Sequence, residues 1–285
     1  MPVFRLSNPL KYYTWGSLEF IPRFLDQVPA TGKPVAEMWM GAHPLGSSQI
    51  WVQDTQISLR DYVQLHSNQA LGRAAKLSDS GFPFLLKVLA AAKPLSIQAH
   101  PSLEQAREGF ERENQLGVLP NSHLRNYKDP NHKPELICAL TPFKALCGFR
   151  SYSETVGNFR RLGLDRWFNS FADLAANLDQ SSFRSFFREL MATSGERKQA
   201  VLDRLSSSLE EDNGLDEALR KAILALRGAY PEDIGILSPL YLNLFHLRPG
   251  EALYLVAGVL HSYLEGAGIE IMASSDNVLR GGLTS

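Results

Sequence analysis

The stretch Lys93-Pro94-Leu95-Ser96-Ile97-Gln98-Ala99-His100-Pro101 reads as an extended strand. Alternate residues of a strand share a face, so Ser96, Gln98 and His100 point one way and Leu95, Ile97 and Ala99 the other. An apolar face then lies opposite a polar one that carries two metal-ligand types, an amide oxygen and an imidazole. Taken singly, Gln-x-His is weak evidence, because a half-exposed strand whose polar face meets water explains it more simply.

Working outward, the chain up to about Arg150 holds further short apolar runs separated by Pro, Gly and Asn: Ile50-Trp51-Val52, Phe84–Leu89 and Leu136–Leu140. Runs of this length bounded by turn residues predict strands. A helix is expected at Ser102–Gln115, because Ser102 with Gln105 three residues on can form a capping box. From Ser151 to Tyr230 the period becomes helical. Ser151 and Glu154 form a second capping-box pair, and Phe183, Phe186, Phe187, Leu190 and Met191 fall on one helix face, which predicts core packing. Leu215, Leu219, Ile223 and Leu226 extend the pattern until Pro231 stops it. From Ile236 the texture is β-like again. Arg248-Pro249-Gly250-Glu251 reads as a turn into Ala252–Val256, followed by strands Val259–Leu264 and Gly268–Ala273. The expected organisation is a mainly β body over 1–150 and 231–285, with a helical insert at 151–230.

A chain of 285 residues with 44% hydrophobic and 21% charged residues falls in the range of folded proteins and excludes a disordered or collagen-like chain. The formal net charge of −1 supplies no global positive field to hold a polyanion, which argues against nucleic acid as a partner. Lys87 and Lys93 interrupt the best candidate for a membrane helix, around Phe84–Ala92. Residues Met1–Pro9 have no basic segment followed by an apolar run, so a cytoplasmic location is expected. Cys138 and Cys147 are read as reduced thiols, since a chain of this size can support itself by core burial.

Two more clusters could carry chemistry. In Asn131-His132-Lys133-Pro134-Glu135, Pro134 biases Lys133 to an extended backbone, which puts Lys133, Glu135 and Ile137 on one side and His132 on the other. A turn with solvated charges is the plain alternative. In Val259-Leu260-His261-Ser262-Tyr263, His261 shares a face with Val259 and Tyr263, where a hydrogen-bonded core histidine is equally at home. His43, His66, His123 and His246 show no comparable pattern and read as structural or surface residues. Together the clusters offer one amide oxygen, one carboxylate and two imidazoles from separate β segments. That set suits Zn²⁺, with Mn²⁺, Fe²⁺ or Co²⁺ as alternatives.

The segments Lys93–Pro101, Asn131–Glu135, Ala257–His261 and Ser275-Asp276-Asn277-Val278-Leu279-Arg280, with Tyr13–Gly16 and Glu37–Pro44 near the N-terminus, resemble the type I mannose-6-phosphate isomerases over essentially the whole chain. The resemblance implies a cupin-type jelly-roll β-barrel carrying a helical domain. It implies one Zn²⁺ per chain, bound by Gln98, His100, Glu135 and His261. It also implies catalytic roles for Arg280, Lys133, Asp276 and His132, and contacts to a sugar-phosphate substrate from Ser96, Lys93 and Glu270. The expected reaction interconverts D-mannose 6-phosphate and D-fructose 6-phosphate by C1/C2 proton transfer, within the metabolism that leads to GDP-mannose. A monomer in the cytoplasm with no nucleic-acid or membrane partner is expected. The alternative is a non-catalytic sugar- or metal-binding cupin, and a cupin oxygenase fits less well. Members of the family continue past the final Arg-x-Gly-x-Thr segment with Pro-Lys and a further β domain. On that ground the chain ending at Arg280–Ser285 is expected to fold and bind zinc but to isomerise poorly.

Overall fold

A computed structural model describes residues 3–27, 32–73, 82–119, 121–122 and 124–284. Its largest sheet contains β1 (Leu10–Lys11), β2 (Glu37–Met40), β3 (Phe84–Ala91), β4 (Gln98–Ala99), β5 (Glu135–Ala139), β6 (Phe143–Phe149), β7 (Leu242–Leu247), β8 (Ala252–Leu255), β9 (His261–Ala273) and β10 (Leu279–Arg280). The main path runs β7-β6-β9-β3-β2-β1. Off this path β5 pairs with β8 and β9, and β4 pairs with β9 and β10. The recorded pairings among these strands are antiparallel. A three-stranded sheet of Leu6–Ser7, Gln49–Val52 and Thr55–Ser58 lies apart from it.

The strand on which everything converges is β9. Its first residues pair with β6 (Tyr263 with Ala145, His261 with Cys147) and with β4 (His261 with Gln98). From Gly266 onward it pairs with β3 and β5 instead. The change of partners falls at a register shift opposite Lys144 and Ala145 and at Gly266, whose φ of +123° is glycine territory. A Cβ built on Gly266 would lie 2.7 Å from the Pro142 carbonyl oxygen. Sequence reading split this strand into Val259–Leu264 and Gly268–Ala273, treating its glycines as an end. They are a bend inside one continuous strand.

Helices α1 (Leu103–Gln115) and α2 (Tyr152–Arg161) begin where their capping boxes place them, at Ser102 with Gln105 and at Ser151 with Glu154. With α3 (Phe171–Asn177), α4 (Gln180–Met191), α5 (Gly195–Ser208) and α6 (Glu217–Ala229), α2 forms the helical array. The aromatic stripe of α4 is core packing, as expected. Phe186 is fully buried and meets Phe159, Phe168 and Phe171 edge-on at 5.1, 5.4 and 5.6 Å. After α6 the chain forms a 3₁₀ helix, Ile234–Leu240, and β structure resumes at Leu242 rather than Ile236.

Period-two alternation joins the helical array to the sheet. Ala145, Cys147 and Tyr263 face the core inside the β body, while Leu146 and Leu264 on the same strands face the helical core. Strands buried on both faces lose the polar alternation that marks half-exposed ones, so β6 is hard to see in sequence. The Leu95–His100 segment also differs from expectation. Only Gln98–Ala99 is laddered, and Leu95 and Ile97 enter different cores. The main-chain amides of Leu95 and Ile97 donate instead to the carbonyls of Tyr263 (2.8 Å) and Gly282 (3.0 Å). Both cysteines are free thiols.

The bend in β9 is a testable element of this architecture. Gly266→Ala forces a side chain into a left-handed backbone and against β6, and is expected to cost about 1–3 kcal/mol of stability. Urea denaturation measures it, and an unchanged midpoint would contradict the role given to the glycine.

Candidate metal centre

Three strand ends bring one carboxylate and two imidazoles together. Glu135 opens β5, His261 opens β9, and His100 follows β4. Because Lys133, Glu135 and Ile137 alternate along an extended segment, all three are buried while His132 is exposed. His100 Nε2 lies 3.3 Å from Glu135 Oε1, and His261 Nε2 lies 3.4 Å from Glu135 Oε2. Candidate ligand atoms of the three residues all fall within 4.8 Å of one another.

Their second ring nitrogens decide the chemistry. His100 Nδ1 is 2.8 Å from the carbonyl oxygen of Asn277, and His261 Nδ1 is 3.0 Å from that of Val259. A carbonyl only accepts, so each Nδ1 carries a proton, and in the neutral ring each Nε2 then keeps its lone pair. Both Nε2 atoms are buried without a hydrogen-bond partner. With both rings neutral, two nitrogen lone pairs and a carboxylate thus converge in a place shielded from water, an arrangement that a cation between them relieves. The donor set therefore fits a divalent metal. Burial lowers the pKa of His100, favouring the neutral ligand form. Burial alone would raise that of Glu135, but the Lys133 ammonium, 3.3 Å away, together with the two facing imidazoles keeps the carboxyl well below its usual range. Gln98 stands directly opposite His261 in the β4–β9 ladder, and cross-strand partners share a face.

Further polar groups surround the triad. Arg280 pairs with Gln98 across β10 and β4, and its Nη1 donates to Ser96 Oγ at 2.5 Å. Asp276 Oδ1 is 3.4 Å from Nε2 of the buried His43, whose Nδ1 accepts from the Leu45 amide and so leaves the proton on Nε2. That bond holds the Asp276 carboxyl below its ordinary value. His43 shows no pattern in the sequence, yet its orienting contact to Asp276 joins two motifs far apart in the chain. His66 and His246 are exposed, as is Lys93, and His123 lies outside the described residues.

Sequence reading missed a second buried network. Lys87 Nζ lies 3.3 Å from Glu37 Oε1 and 3.1 Å from Glu270 Oε2. Trp39 Nε1 donates to Glu37 at 2.8 Å, and the Tyr263 hydroxyl donates to Glu270 at 3.0 Å. Burial works against the Lys87 charge, yet Glu270 and Glu37 raise its pKa above the usual lysine value. Burial raises that of Glu270. The signal was available, since Lys87 shares its strand face with Leu85 and Leu89, and a lysine at a core position requires a carboxylate partner.

Comparisons with known proteins agree with this arrangement. Residues 3–152 match the family described as phosphomannose isomerase type I, catalytic domain, and residues 165–242 match phosphomannose isomerase type I, helical insertion domain. The mannose-6-phosphate isomerase of Escherichia coli (strain K12) is 40% identical over 281 residues, which cover 98% of this chain and 71% of that protein. The mannose-6-phosphate isomerase of Homo sapiens is 37% identical over 307 residues, covering 99% of this chain and 70% of that one. A crystal structure of zinc-bound mannose 6-phosphate isomerase superposes with a TM-score of 0.91 at 39% identity, covering 99% of this chain and 70% of that one. Another, bound with zinc and yttrium, gives a TM-score of 0.90 with the same identity and coverage. The mainly β fold with a helical domain is the one these proteins share. By sequence, by fold and by the chemistry of its buried triad, the chain belongs to the type I phosphomannose isomerase family.

Proposed function

We propose that this chain is a zinc-dependent aldose–ketose isomerase that interconverts D-mannose 6-phosphate and D-fructose 6-phosphate. The observation that carries the reading is the pair of buried, partnerless Nε2 atoms facing one carboxylate, in a chain 40% identical over 281 residues to a mannose-6-phosphate isomerase. Gln98, His100, Glu135 and His261 would hold the zinc. When bound, the metal supplies a Lewis acid that stabilises negative charge on sugar oxygens.

The reaction moves one proton between C1 and C2 and a second between their oxygens, and needs no redox cofactor. A general base must therefore be ionised at neutral pH and within hydrogen-bond reach of that proton. Asp276 meets the first condition, because the bond from His43 favours its carboxylate. Lys133 and Arg280 are the donors we assign to the sugar oxygens where charge develops. His132, exposed in the segment that precedes β5, is a weaker candidate for the base than Asp276. Ser96, already bonded to Arg280, and the exposed Lys93 are assigned to the phosphate. Glu270, engaged by Lys87 and Tyr263, is assigned to the substrate in this reading.

The division of the chain at 150 and 230 into β body, helical insert and returning β segment belongs to the same proposal. So do a monomeric state, a cytoplasmic location, the absence of nucleic-acid and membrane partners, and a place in the metabolism leading to GDP-mannose. No helix among the described residues is long and apolar enough to cross a membrane.

Conversion of mannose 6-phosphate, followed in a coupled assay, is expected to disappear on dialysis against a chelator and to return with added zinc. Full turnover by zinc-free protein would overturn the reading. His261→Ala, which removes one of two imidazoles, is expected to lose most of its zinc by elemental analysis after dialysis. Full occupancy would exclude His261 as a ligand. Arg280→Ala is expected to keep its zinc and lower kcat by about 10²–10³, as loss of one preorganised donor commonly does. An unchanged kcat would remove Arg280 from the mechanism.

A further inference from the structure

Asn277 is completely buried, and every arm of its side chain is engaged. Its Oδ1 accepts from the main-chain amides of Lys128 (2.7 Å) and Asp129 (3.2 Å). Its Nδ2 donates to the carbonyls of Asp129 (2.7 Å) and Asn131 (2.9 Å). A primary amide has two donor hydrogens and two acceptor lone pairs, and all four are used. Asp129 completes the clamp. Its Oδ2 accepts from the Asp276 amide (2.8 Å) and the Ser275 hydroxyl (3.2 Å), and its Oδ1 accepts from the Asn131 amide (3.0 Å).

Residues 275–278 lie between β9 and β10 with no ladder of their own. Nothing in the sheet fixes the direction of their peptide groups, so side chains must do it. This matters because the carbonyl of Asn277 is the group that accepts from His100 Nδ1. The same clamp ties down residues 128–131, which lead into Lys133 and Glu135, and holds the amide of Asp276. His261 is oriented differently, by the carbonyl of Val259 two residues upstream in its own segment.

We infer that Asn277 is a positioning residue that fixes the tautomer and direction of His100, with Asp129 bracing the peptide that does so. The inference rests on the metal reading of the triad for its consequence, but not for its geometry. With the clamp removed, the Asn277 peptide is free to turn, and Nε2 of His100 no longer presents a fixed lone pair. His261 keeps its local carbonyl and serves as an internal control.

The test uses the full chain, wild type and Asn277→Ala, in two measurements. Imidazole ¹⁵N NMR of chelator-treated protein reads the tautomer of each histidine, and competition with a chromogenic chelator reads zinc affinity. Wild type is expected to show both His100 and His261 protonated on Nδ1. Asn277→Ala is expected to lose the single tautomer at His100 alone and to bind zinc about 10–100-fold more weakly, the usual effect of losing an outer partner of a ligand. An unchanged His100 tautomer with zinc affinity within about twofold of wild type would overturn the inference, whatever the change in melting temperature. If Asn277→Ala does not fold, Asp129→Asn provides the same readouts. It leaves Asn277 in place and turns one bracing acceptor into a donor facing main-chain N–H groups, so loss of the His100 tautomer is again expected and its retention overturns the idea. Wild-type protein that binds no zinc would defeat the metal reading, while the tautomer comparison would still decide the role of Asn277.

Discussion

Like charges and lone pairs do not gather in a protein interior unless something pulls them together. Around Glu135 two imidazole nitrogens and a carboxylate face one another away from water, and each neutral ring has no second proton to offer, because it spends its one N–H on a backbone carbonyl. That constraint runs through the rest of the molecule. The two carbonyls must be held, the strands that end at the triad must meet, and the repulsion must be relieved by a cation. Burial alone would favour a protonated, neutral Glu135. The neighbouring Lys133 ammonium and the two facing imidazoles together keep it ionised instead, so the carboxylate is ready to meet a metal without first losing a proton.

The β body supplies the meeting point through one long strand. Because β9 changes partners at Gly266, it brings His261, near Gln98 and Cys147, and Glu270, near Lys87, onto the same scaffold. Its first half also presents Leu264 to the helical core and Tyr263 to the β interior. The helical array is therefore anchored on the same strand that carries a triad histidine. Near the triad the interior holds Glu37, Glu135 and Glu270 against Lys87 and Lys133, all buried. Buried ions are costly unless paired and hydrogen-bonded. Trp39 and Tyr263 supply hydrogen bonds that the lysine alone does not. The excess of carboxylate is a second reason that the site suits a divalent cation.

What could be read from sequence divides along the range of the interactions involved. The capping boxes at Ser102 and Ser151 were legible because both partners lie within four residues. The face shared by Lys133, Glu135 and Ile137 followed from one proline and strict alternation. The aromatic stripe of α4 followed from helical spacing. Features that depend on distant partners were not legible. Leu95–His100 looks like a strand, but the amides of Leu95 and Ile97 find partners outside any ladder, in Tyr263 and Gly282. Lys87 reads as an interruption in an apolar run until Glu37 and Glu270 arrive from other strands. His43 shows no pattern until the fold sets it against Asp276. The glycines of β9 look like a break because sequence cannot distinguish a bend from an end.

The central claim is that the converging nitrogens and carboxylate of His100, Glu135 and His261 are a zinc site. X-ray absorption at the zinc edge of the zinc-loaded full chain tests it most directly. The account predicts imidazole scattering from two rings, with all remaining neighbours oxygen at about 2.0–2.2 Å. Sulfur scattering at about 2.3 Å, which would put Cys138 or Cys147 on the metal, or a spectrum without imidazole, would contradict it.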